Sequence, residues 1–279
     1  MLFCARQFKF KFPRPALIMG IVNITPDSFS DGGKFLRPGA AVAHAFRLVE
    51  QGAEILDIGG ESTRPGAAPV SEREELRRVL PLLKSLAGRV NIPLSIDTMK
   101  PAVARAALEA GASIVNDVAA NRGDSKMWEV VSEFRAGYIC MHAPPALHRA
   151  RKQSKIVVEV GNFFAERMKK LRVAGILPEQ VVFDPGIGFG KTPGQNLRLL
   201  AELRRLTKLN RPLLLGVSRK SFIEKIVGGN VNERLPASLA CAILGVESGA
   251  QIIRAHDVAE TIQAVRMVEA ILDTAKNDR

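Results

Sequence analysis

The sequence predicts a (β/α)₈ barrel, in which eight parallel strands alternate with helices. Short apolar runs recur along the chain, and each is followed by a segment whose apolar residues have helical spacing. Such runs are typical of strands buried on both faces, as in a parallel sheet. Eight such units fit a chain of 279 residues, since one barrel of this class takes about 250 residues. An open, doubly wound sheet is the alternative.

No linker, repeat or low-complexity tract divides the chain. We therefore predict a single domain over residues 1–279, with an N-terminal extension over 1–15 and the barrel over 16–273. Within the extension, Gln7–Phe12 predicts a short strand or hairpin that closes the bottom of the barrel. The eight predicted strands are Leu17–Asn23, Glu54–Gly60, Pro93–Thr98, Ser113–Val118, Gly137–His142, Val181–Gly186, Leu213–Ser218 and Ile252–Asp257.

Capping signals and apolar spacing predict the helices between these strands. Ser71 and Glu74 form a capping-box pattern that starts a helix, and Pro81 should kink or end that helix. Pro101 suits a first helical turn, and Gly111 suits the end of the same helix. Two further helices are indicated by helical spacing, at Leu199, Leu203 and Leu206 and at Val258, Ile262, Val265, Val268 and Leu272.

Composition excludes several classes of protein. With 47% hydrophobic residues, the chain can bury a large core and is not expected to be disordered. Its three cysteines are widely spaced and without a CxxC pair, which argues against a disulfide framework and fits a reducing, cytoplasmic compartment. No apolar run approaches 18 residues, so we expect no membrane span. The net charge of +12 suggests an anionic substrate or nucleic acid.

Polar residues lie near the ends of all eight predicted strands. Active sites of such barrels gather at the C-terminal ends of the strands, and structural roles for all of these groups together are improbable. Carboxylate and amide groups suit a flat heterocycle with several N–H groups, whereas the cationic groups suit an anion. The strand-end residues are Asn23, Asp57, Asp97, Asn116, His142, Asp184, Ser218 with Lys220, and Arg254 with His256.

Several connections resemble ligand-binding loops. Ile24–Gly39 is long enough for a lid, and Glu61–Val70 contains Thr and Arg residues that suit an oxyanion. Asp184–Lys191 has three glycines that would let the backbone approach a ligand, but it fits neither a P-loop nor a dinucleotide motif. Ser218–Ser221 precedes a helix N-terminus, which suits an anion or is an ordinary helix cap.

Seven motifs in order resemble those of the dihydropteroate synthases, over about residues 6–272. The resemblance implies a (β/α)₈ enzyme of folate synthesis that condenses 6-hydroxymethyl-7,8-dihydropterin diphosphate with p-aminobenzoate, giving 7,8-dihydropteroate and diphosphate with the help of Mg²⁺. It also implies SN1-like loss of diphosphate, a sulfonamide target and a homodimer. The motifs are Met19–Gly33, Asp57–Gly66, Ser95–Thr98, Val115–Asp117, Phe183–Lys191, Gly216–Ser221 and Ile253–Asp257.

The resemblance assigns roles residue by residue. It implies catalytic roles for Asp97, Lys220, Arg254 and His256. The pterin-binding residues it implies are Asp97, Asn116, Met141, Asp184, Lys220 and Arg254. The diphosphate-binding residues are Asn23, Thr63, Arg64, Arg254 and His256, with Asn23 as the Mg²⁺-linked position. The p-aminobenzoate-binding residues are Thr63, Arg64, Pro65, Phe189, Lys220 and Ser221, and Phe29 and Asp31 belong to mobile loops that close over the site.

The sequence departs from the family pattern after the fifth strand. Met141 and His142 are kept, but the loop over 143–154 is not, which raises the question of whether this loop alters activity. The alternatives are a related pterin-binding methyltransferase-type barrel and a synthase-like paralogue without activity. A nucleic-acid binder is disfavoured, because the charge is not accompanied by a recognisable module. Half of the excess charge lies over 149–172, where we expect a solvated surface.

Overall fold

The computed structural model describes residues 1–24, 38–62, 68–119, 125–144 and 155–277. Within these ranges the chain starts with an antiparallel hairpin, β1 (Leu2–Ala5) and β2 (Phe8–Lys11), and continues with the eight predicted parallel strands. The barrel strands are β3 (Leu17–Asn23), β4 (Ile55–Gly59), β5 (Leu94–Asp97), β6 (Ile114–Asp117), β7 (Gly137–Met141), β8 (Val181–Asp184), β9 (Leu214–Gly216) and β10 (Ile252–Ala255).

The parallel strands form a nearly closed barrel. Strands β3 to β8 pair in sequence order, and β10 lies between β3 and β9. The ring is completed between β8 and the start of β9, where Phe183 forms a bridge with Leu213 and its N–H donates to the Pro212 carbonyl at 2.9 Å. The predicted barrel is therefore confirmed, and the open-sheet alternative is wrong.

Helices follow the strands around the outside of the barrel. Those in the described residues are α1 (Pro38–Glu50), α2 (Glu72–Leu86), α3 (Pro101–Glu109), α4 (Ser125–Glu133), α5 (Ile156–Val173), α6 (Pro193–Ala201), α7 (Ser221–Val227), α8 (Leu235–Glu247) and α9 (Val258–Asn277). None of them combines the length and apolar composition needed to cross a membrane.

The predicted helix signals are mostly confirmed. The Ser71 hydroxyl accepts the N–H of Glu74 at 3.3 Å at the start of α2. Pro101 is the first residue of α3, and Gly111 follows the end of that helix with a φ of +105°. A glycine suits this position because left-handed backbone carries little penalty without a Cβ.

Two helix predictions need correction. Pro81 lies inside α2 without ending it, because Val79, Leu82 and Leu83 are buried on either side and their packing holds the helix past the lost hydrogen bond. The kink stays a prediction. The helix predicted through Leu199 and the two leucines after it is divided, since α6 ends at Ala201 and a 3₁₀ helix over Leu203–Leu209 continues the buried face.

The N-terminal hairpin fills the bottom of the barrel with aromatic side chains. Phe3, Phe10 and Phe12 are buried against residues from the inner surface of the strands. Phe3 leaves no room at Gly137, where an added Cβ would lie 2.8 Å from the Phe3 ring. The barrel residues of this bottom cluster are Leu17, Met19, Ile55, Ile114, Ile139, Val182, Leu214 and Ile252.

We expect Phe3→Ala to lower the free energy of unfolding by about 3–5 kcal/mol, because it removes a fully buried ring from a packed cluster. Urea denaturation followed by circular dichroism measures this loss. Leu2→Ala in the same strand is the control, since Leu2 is 36% exposed, and it should change stability far less. Equal effects of the two substitutions would contradict the proposed packing of the hairpin.

Candidate functional site

The C-terminal ends of the strands bring the predicted site residues into one region. The parallel register places Asn23 beside Gly59, Gly59 beside Asp97, and Asp97 beside Asn116. Asp184 ends β8, and Arg254 lies on β10 opposite Gly216 of β9. Neighbouring strands thus present their polar side chains at the same end of the barrel, as the sequence predicts.

Arg254 joins two carboxylates across the barrel. Its Nε donates to Asp57 Oδ2 at 2.6 Å, and its Nη2 donates to Asp97 Oδ2 at 2.9 Å. Asp57 Oδ2 also accepts the Asn116 amide at 3.0 Å. Although burial alone would lower the pKa of Arg254, Asp57 and Asp97 hold it above its usual value. The guanidinium therefore stays charged and fixes both carboxylates.

Three oxygens around this ion pair have no hydrogen-bond partner among the described residues. Among the residues that the structure describes, Asp57 Oδ1, Asp97 Oδ1 and Asn116 Oδ1 are buried and accept no hydrogen bond. A buried acceptor left without a donor costs about 1–3 kcal/mol. Such groups are explained by a ligand that supplies several N–H donors, which is the chemistry that the sequence predicts here.

Asp184 adds a third carboxylate, at the end of β8. Its Oδ1 accepts the N–H of Gly186 at 2.7 Å, and its strand neighbour is Met141, which is buried. Burial raises the pKa of Asp184, and the Gly186 hydrogen bond and Lys220 oppose that rise. Burial likewise raises the pKa of Asp97 against the charge of Arg254.

The glycine-rich loop after β8 lies against Lys220. The Lys220 ammonium is 4.0 Å from the centre of the Phe189 ring. Gly188 has a φ of +84°, and an added Cβ would lie 3.1 Å from Lys220 Cδ, so glycine allows this close approach. Ser221 is exposed as the first residue of α7, directly after Lys220. The structure therefore brings together the described residues of the predicted p-aminobenzoate side.

His256 is held by Ser218 at the end of the neighbouring strand. The Ser218 hydroxyl lies 3.0 Å from His256 Nδ1 and accepts the His256 backbone N–H at 3.1 Å. Burial, with the charges of Arg254 and Arg219, lowers the pKa of His256 to about 3. The imidazole is thus neutral at physiological pH. Ser218 is not the cap of α7, since that position belongs to Lys220.

Asn23, the predicted Mg²⁺-linked residue, lies at this end of the barrel on β3. Its amide oxygen lies 3.4 Å from where a Cβ would stand on Gly59, and Asp97 borders the same glycine. The described residues contain no cluster of three or more histidine, cysteine or acidic side chains that could hold a metal ion by themselves. A metal here would therefore depend on ligands from a bound substrate.

Part of the predicted site cannot be placed. Thr63, Arg64 and Pro65, predicted to bind the two substrates, lie outside the described residues. Phe29 and Asp31 of the predicted mobile loops also lie outside them. The departing loop over 143–154 is described only through Pro144.

Two residues of the site received no binding role from the sequence. Asp57 was visible as a strand-end carboxylate, but its contacts with Arg254 and Asn116 span 197 and 59 positions of the chain. Ser218 could be read as a helix cap, whereas it contacts His256. In both cases the available sequence signal is a position near the end of a predicted strand. The hydrogen-bond partner of each residue is seen only in the folded barrel.

The chain is similar in sequence to known pterin-binding enzymes. The family model described as "Pterin binding enzyme" matches residues 19–256. The dihydropteroate synthase of Escherichia coli strain K12 is 44% identical over 94% of this chain and 94% of its own length. That of Synechocystis is 41% identical over 95% of this chain and 93% of its own length.

Solved structures are similar over nearly the whole chain. The Xanthomonas albilineans dihydropteroate synthase with 4-aminobenzoic acid has a TM-score of 0.88 and 44% identity, covering 95% of both chains. The structure of the same enzyme with 7,8-dihydropteroate has a TM-score of 0.88 and 41% identity, covering 98% of this chain and 99% of the other. The Yersinia pestis dihydropteroate synthase with a sulfonamide drug has a TM-score of 0.91 and 40% identity, covering 98% of this chain and 100% of the other.

We expect His256 to make the protein less stable in acid. At pH 5 the unfolded chain protonates this histidine, whereas the folded chain keeps it neutral because its pKa is about 3. Stability should therefore fall as the pH drops from about 6.5 towards 3, by about 2 kcal/mol at pH 5 for this group. His256→Gln should remove this pH-dependent contribution to the free energy of unfolding.

Urea denaturation of wild type and variant at pH 7.5 and pH 5 measures the difference. Asp97 and Asp184 titrate in both proteins, so their opposite contributions cancel in the comparison. An unchanged pH dependence in His256→Gln would show that the imidazole is not held neutral in the folded chain.

Proposed function

The chain belongs to the dihydropteroate synthase family of pterin-binding enzymes, and we propose that the mouth of its barrel is the site of this reaction. The enzyme is a transferase of folate biosynthesis. It condenses 6-hydroxymethyl-7,8-dihydropterin diphosphate with p-aminobenzoate, and the products are 7,8-dihydropteroate and diphosphate. The observation that carries the assignment of the site is the set of buried, unpartnered oxygens around Arg254.

The pterin fits these oxygens. Its ring carries several N–H donors in one plane, and the open acceptors of Asp97 and Asn116 lie beside one another in the strand register. Asp184 offers a third acceptor, and Met141 lies next to it on β7. We infer that these residues, with Lys220 and Arg254, hold the pterin. Because the acceptors of Asp97 and Asn116 lack a donor among the described residues, binding the pterin removes an existing desolvation penalty.

The diphosphate is proposed to bind where the site contains Arg254. Arg254 is charged and already oriented by Asp57 and Asp97, and His256 lies two residues after it. We propose that both hold the diphosphate with Asn23, Thr63 and Arg64. The fixed cation of Arg254 stabilises the charge that the leaving group gains in the transition state, whereas the neutral His256 contributes a hydrogen bond.

Mg²⁺ is the metal that the family implies, and the donor set fits it. Asn23 offers one neutral oxygen, and Mg²⁺ commonly takes only one or two protein ligands beside water and substrate phosphates. We propose that Asn23 holds the ion through its amide oxygen. When bound, Mg²⁺ neutralises part of the diphosphate charge.

The second substrate lies beside the glycine-rich loop. Phe189 and Lys220 contact each other there, and Ser221 begins α7 next to them. We propose that these residues, with Thr63, Arg64 and Pro65, bind p-aminobenzoate. The bond between the pterin methylene carbon and the diphosphate oxygen breaks first, with its electron pair leaving on the diphosphate. The neutral amine then forms the C–N bond and releases its proton, so no protein nucleophile is required.

Asp97, Lys220, Arg254 and His256 are the proposed catalytic residues. Asp97 and Lys220 orient the ring that carries the developing cation, and Arg254 and His256 receive the diphosphate. The loops that contain Phe29 and Asp31 are proposed to close over the site, since excluding water protects a carbocation from hydrolysis. A sulfonamide would compete at the p-aminobenzoate side, and a related synthase structure contains such a drug.

A homodimer and a cytoplasmic location are further proposals. The dimer is supported by apolar side chains on the outer surfaces of α8 and α9, where Leu244, Met267 and Ile271 are more than half exposed. Sedimentation of the purified chain tests the dimer. Within the described part of the basic segment, Arg167 departs from the predicted solvated surface, because it is buried against the rings of Trp128 and Phe163.

Loss of the pterin contacts should abolish most of the activity. We expect Asp184→Asn and Lys220→Met each to lower kcat/KM for the pterin diphosphate by about 100-fold, as the loss of one charged hydrogen bond predicts. The measurement is dihydropteroate formation from both substrates with Mg²⁺. Asp273→Asn and Lys225→Met are matched controls, because both residues are exposed on outer helices. Wild-type protein without turnover would refute the synthase, and fully active variants would refute the site.

Removal of Mg²⁺ should stop turnover without unfolding the protein. We expect a chelator to lower the rate at least about tenfold, because the metal offsets diphosphate charge. Asn23→Ala should raise the Mg²⁺ concentration that gives half-maximal rate, whereas the KM for p-aminobenzoate should stay unchanged. An Asn23→Ala enzyme with the wild-type Mg²⁺ dependence would exclude Asn23 as the ligand.

A further inference from the structure

The Lys191 ammonium lies among three backbone carbonyls behind the glycine-rich loop. Its Nζ donates to the carbonyl oxygens of His142 and Gly186 at 2.8 Å each and to that of Phe189 at 3.3 Å. Three carbonyl dipoles that converge on one point repel each other unless a cation lies between them. Lys191 supplies that cation from the same loop.

The loop is packed too closely to take this shape without its glycines. At Gly186 an added Cβ would lie 2.1 Å from the His142 carbonyl oxygen, and the φ of Gly186 is +66°. Gly190, with a φ of +60°, similarly lies against Pro144, whose Cγ would be 3.2 Å from an added Cβ. The loop therefore lies directly on the segment that follows β7.

This arrangement connects Lys191 to the p-aminobenzoate side of the site. The Phe189 carbonyl faces the Lys191 ammonium, and the Phe189 ring faces the Lys220 ammonium at 4.0 Å. The Phe189 N–H donates back to the Gly186 carbonyl at 3.1 Å. Both backbone groups of Phe189 are thus bound within the group that Lys191 organises, so the direction of the ring depends on that group.

Burial and two nearby charged residues, Asp184 and Lys220, affect the pKa of Lys191. Burial lowers the pKa of Lys191 to about 7, the carboxylate of Asp184 opposes this, and the charge of Lys220 adds to it. Lys191 in turn helps burial to lower the pKa of His142 to about 3. Hydrogen bonds from the ammonium to three carbonyls favour its charged form.

We propose that Lys191 is a positioning residue for the p-aminobenzoate side of the site. It holds the Phe189 carbonyl, which sets the Phe189 ring as one wall of that subsite and as the support for Lys220. Lys191 itself touches neither substrate. This inference rests on the proposed synthase function, since it assigns a task within that site.

Lys191→Met tests it, because methionine keeps the length of the side chain and removes the three donors. We expect the KM for p-aminobenzoate to rise about tenfold, the equivalent of one lost hydrogen bond. The KM for the pterin diphosphate should change less than twofold. Lys169→Met, at an exposed position on α5, is the matched control and should leave both constants unchanged. If Lys191→Met is insoluble, Lys191→Gln is measured in the same way.

A double-mutant cycle separates positioning from a general structural effect. If Lys191 acts through Phe189, then Lys191→Met added to Phe189→Ala should raise the KM for p-aminobenzoate less than twofold beyond Phe189→Ala alone. Fully additive effects, or equal increases in both KM values, would overturn the proposal. Absence of turnover in the wild type would refute the synthase function and this inference with it, whereas an active wild type with additive effects refutes the inference alone.

Discussion

The site depends on the guanidinium of Arg254 between the carboxylates of Asp57 and Asp97. Asp57 has no exposed surface, and a lone buried carboxylate would be strongly unfavourable. The ion pair makes its burial tolerable, and it also fixes one oxygen of each carboxylate. The other oxygen of each, together with the Asn116 amide oxygen, has no hydrogen-bond partner among the described residues. Replacing such a pair by apolar residues is often neutral or stabilising, so its presence here is explained by function rather than by stability.

The two ends of the barrel divide the work between stability and chemistry. At the bottom, Phe3, Phe10 and Phe12 fill the interior with closely packed apolar atoms. At the top, buried acceptors without partners reduce stability in the free protein. Hydrophobic burial at the bottom of the barrel offsets this loss of stability, because it does not depend on the polar residues at the C-terminal ends of the strands. The same strands therefore carry a stabilising end and a reactive end.

The sequence predicts the strands well because most of them are short apolar runs with a polar residue at or near the C-terminal end. It also predicts that Asp97, Asn116, Asp184 and Arg254 meet, since parallel strands end at one face. It does not predict which of them pair. The contact between Arg254 and Asp57 depends on barrel closure and side-chain direction, which no local pattern contains. At Pro81 the local rule that a proline ends a helix fails. The packing that keeps α2 intact involves other parts of the chain and is not visible in the surrounding sequence.

The atypical loop over 143–154 can be placed in this scheme by its described beginning. The carbonyl of His142, just before this loop, accepts a hydrogen bond from Lys191. Pro144, the second residue of the loop, lies against Gly190. The first contact uses a backbone carbonyl and the second a proline ring, so neither depends on which side chains follow Pro144. The departure from the family pattern therefore already includes Pro144, whereas the His142 carbonyl precedes it. Through the described residues, changes in the loop reach the p-aminobenzoate side by moving the His142 carbonyl or Pro144.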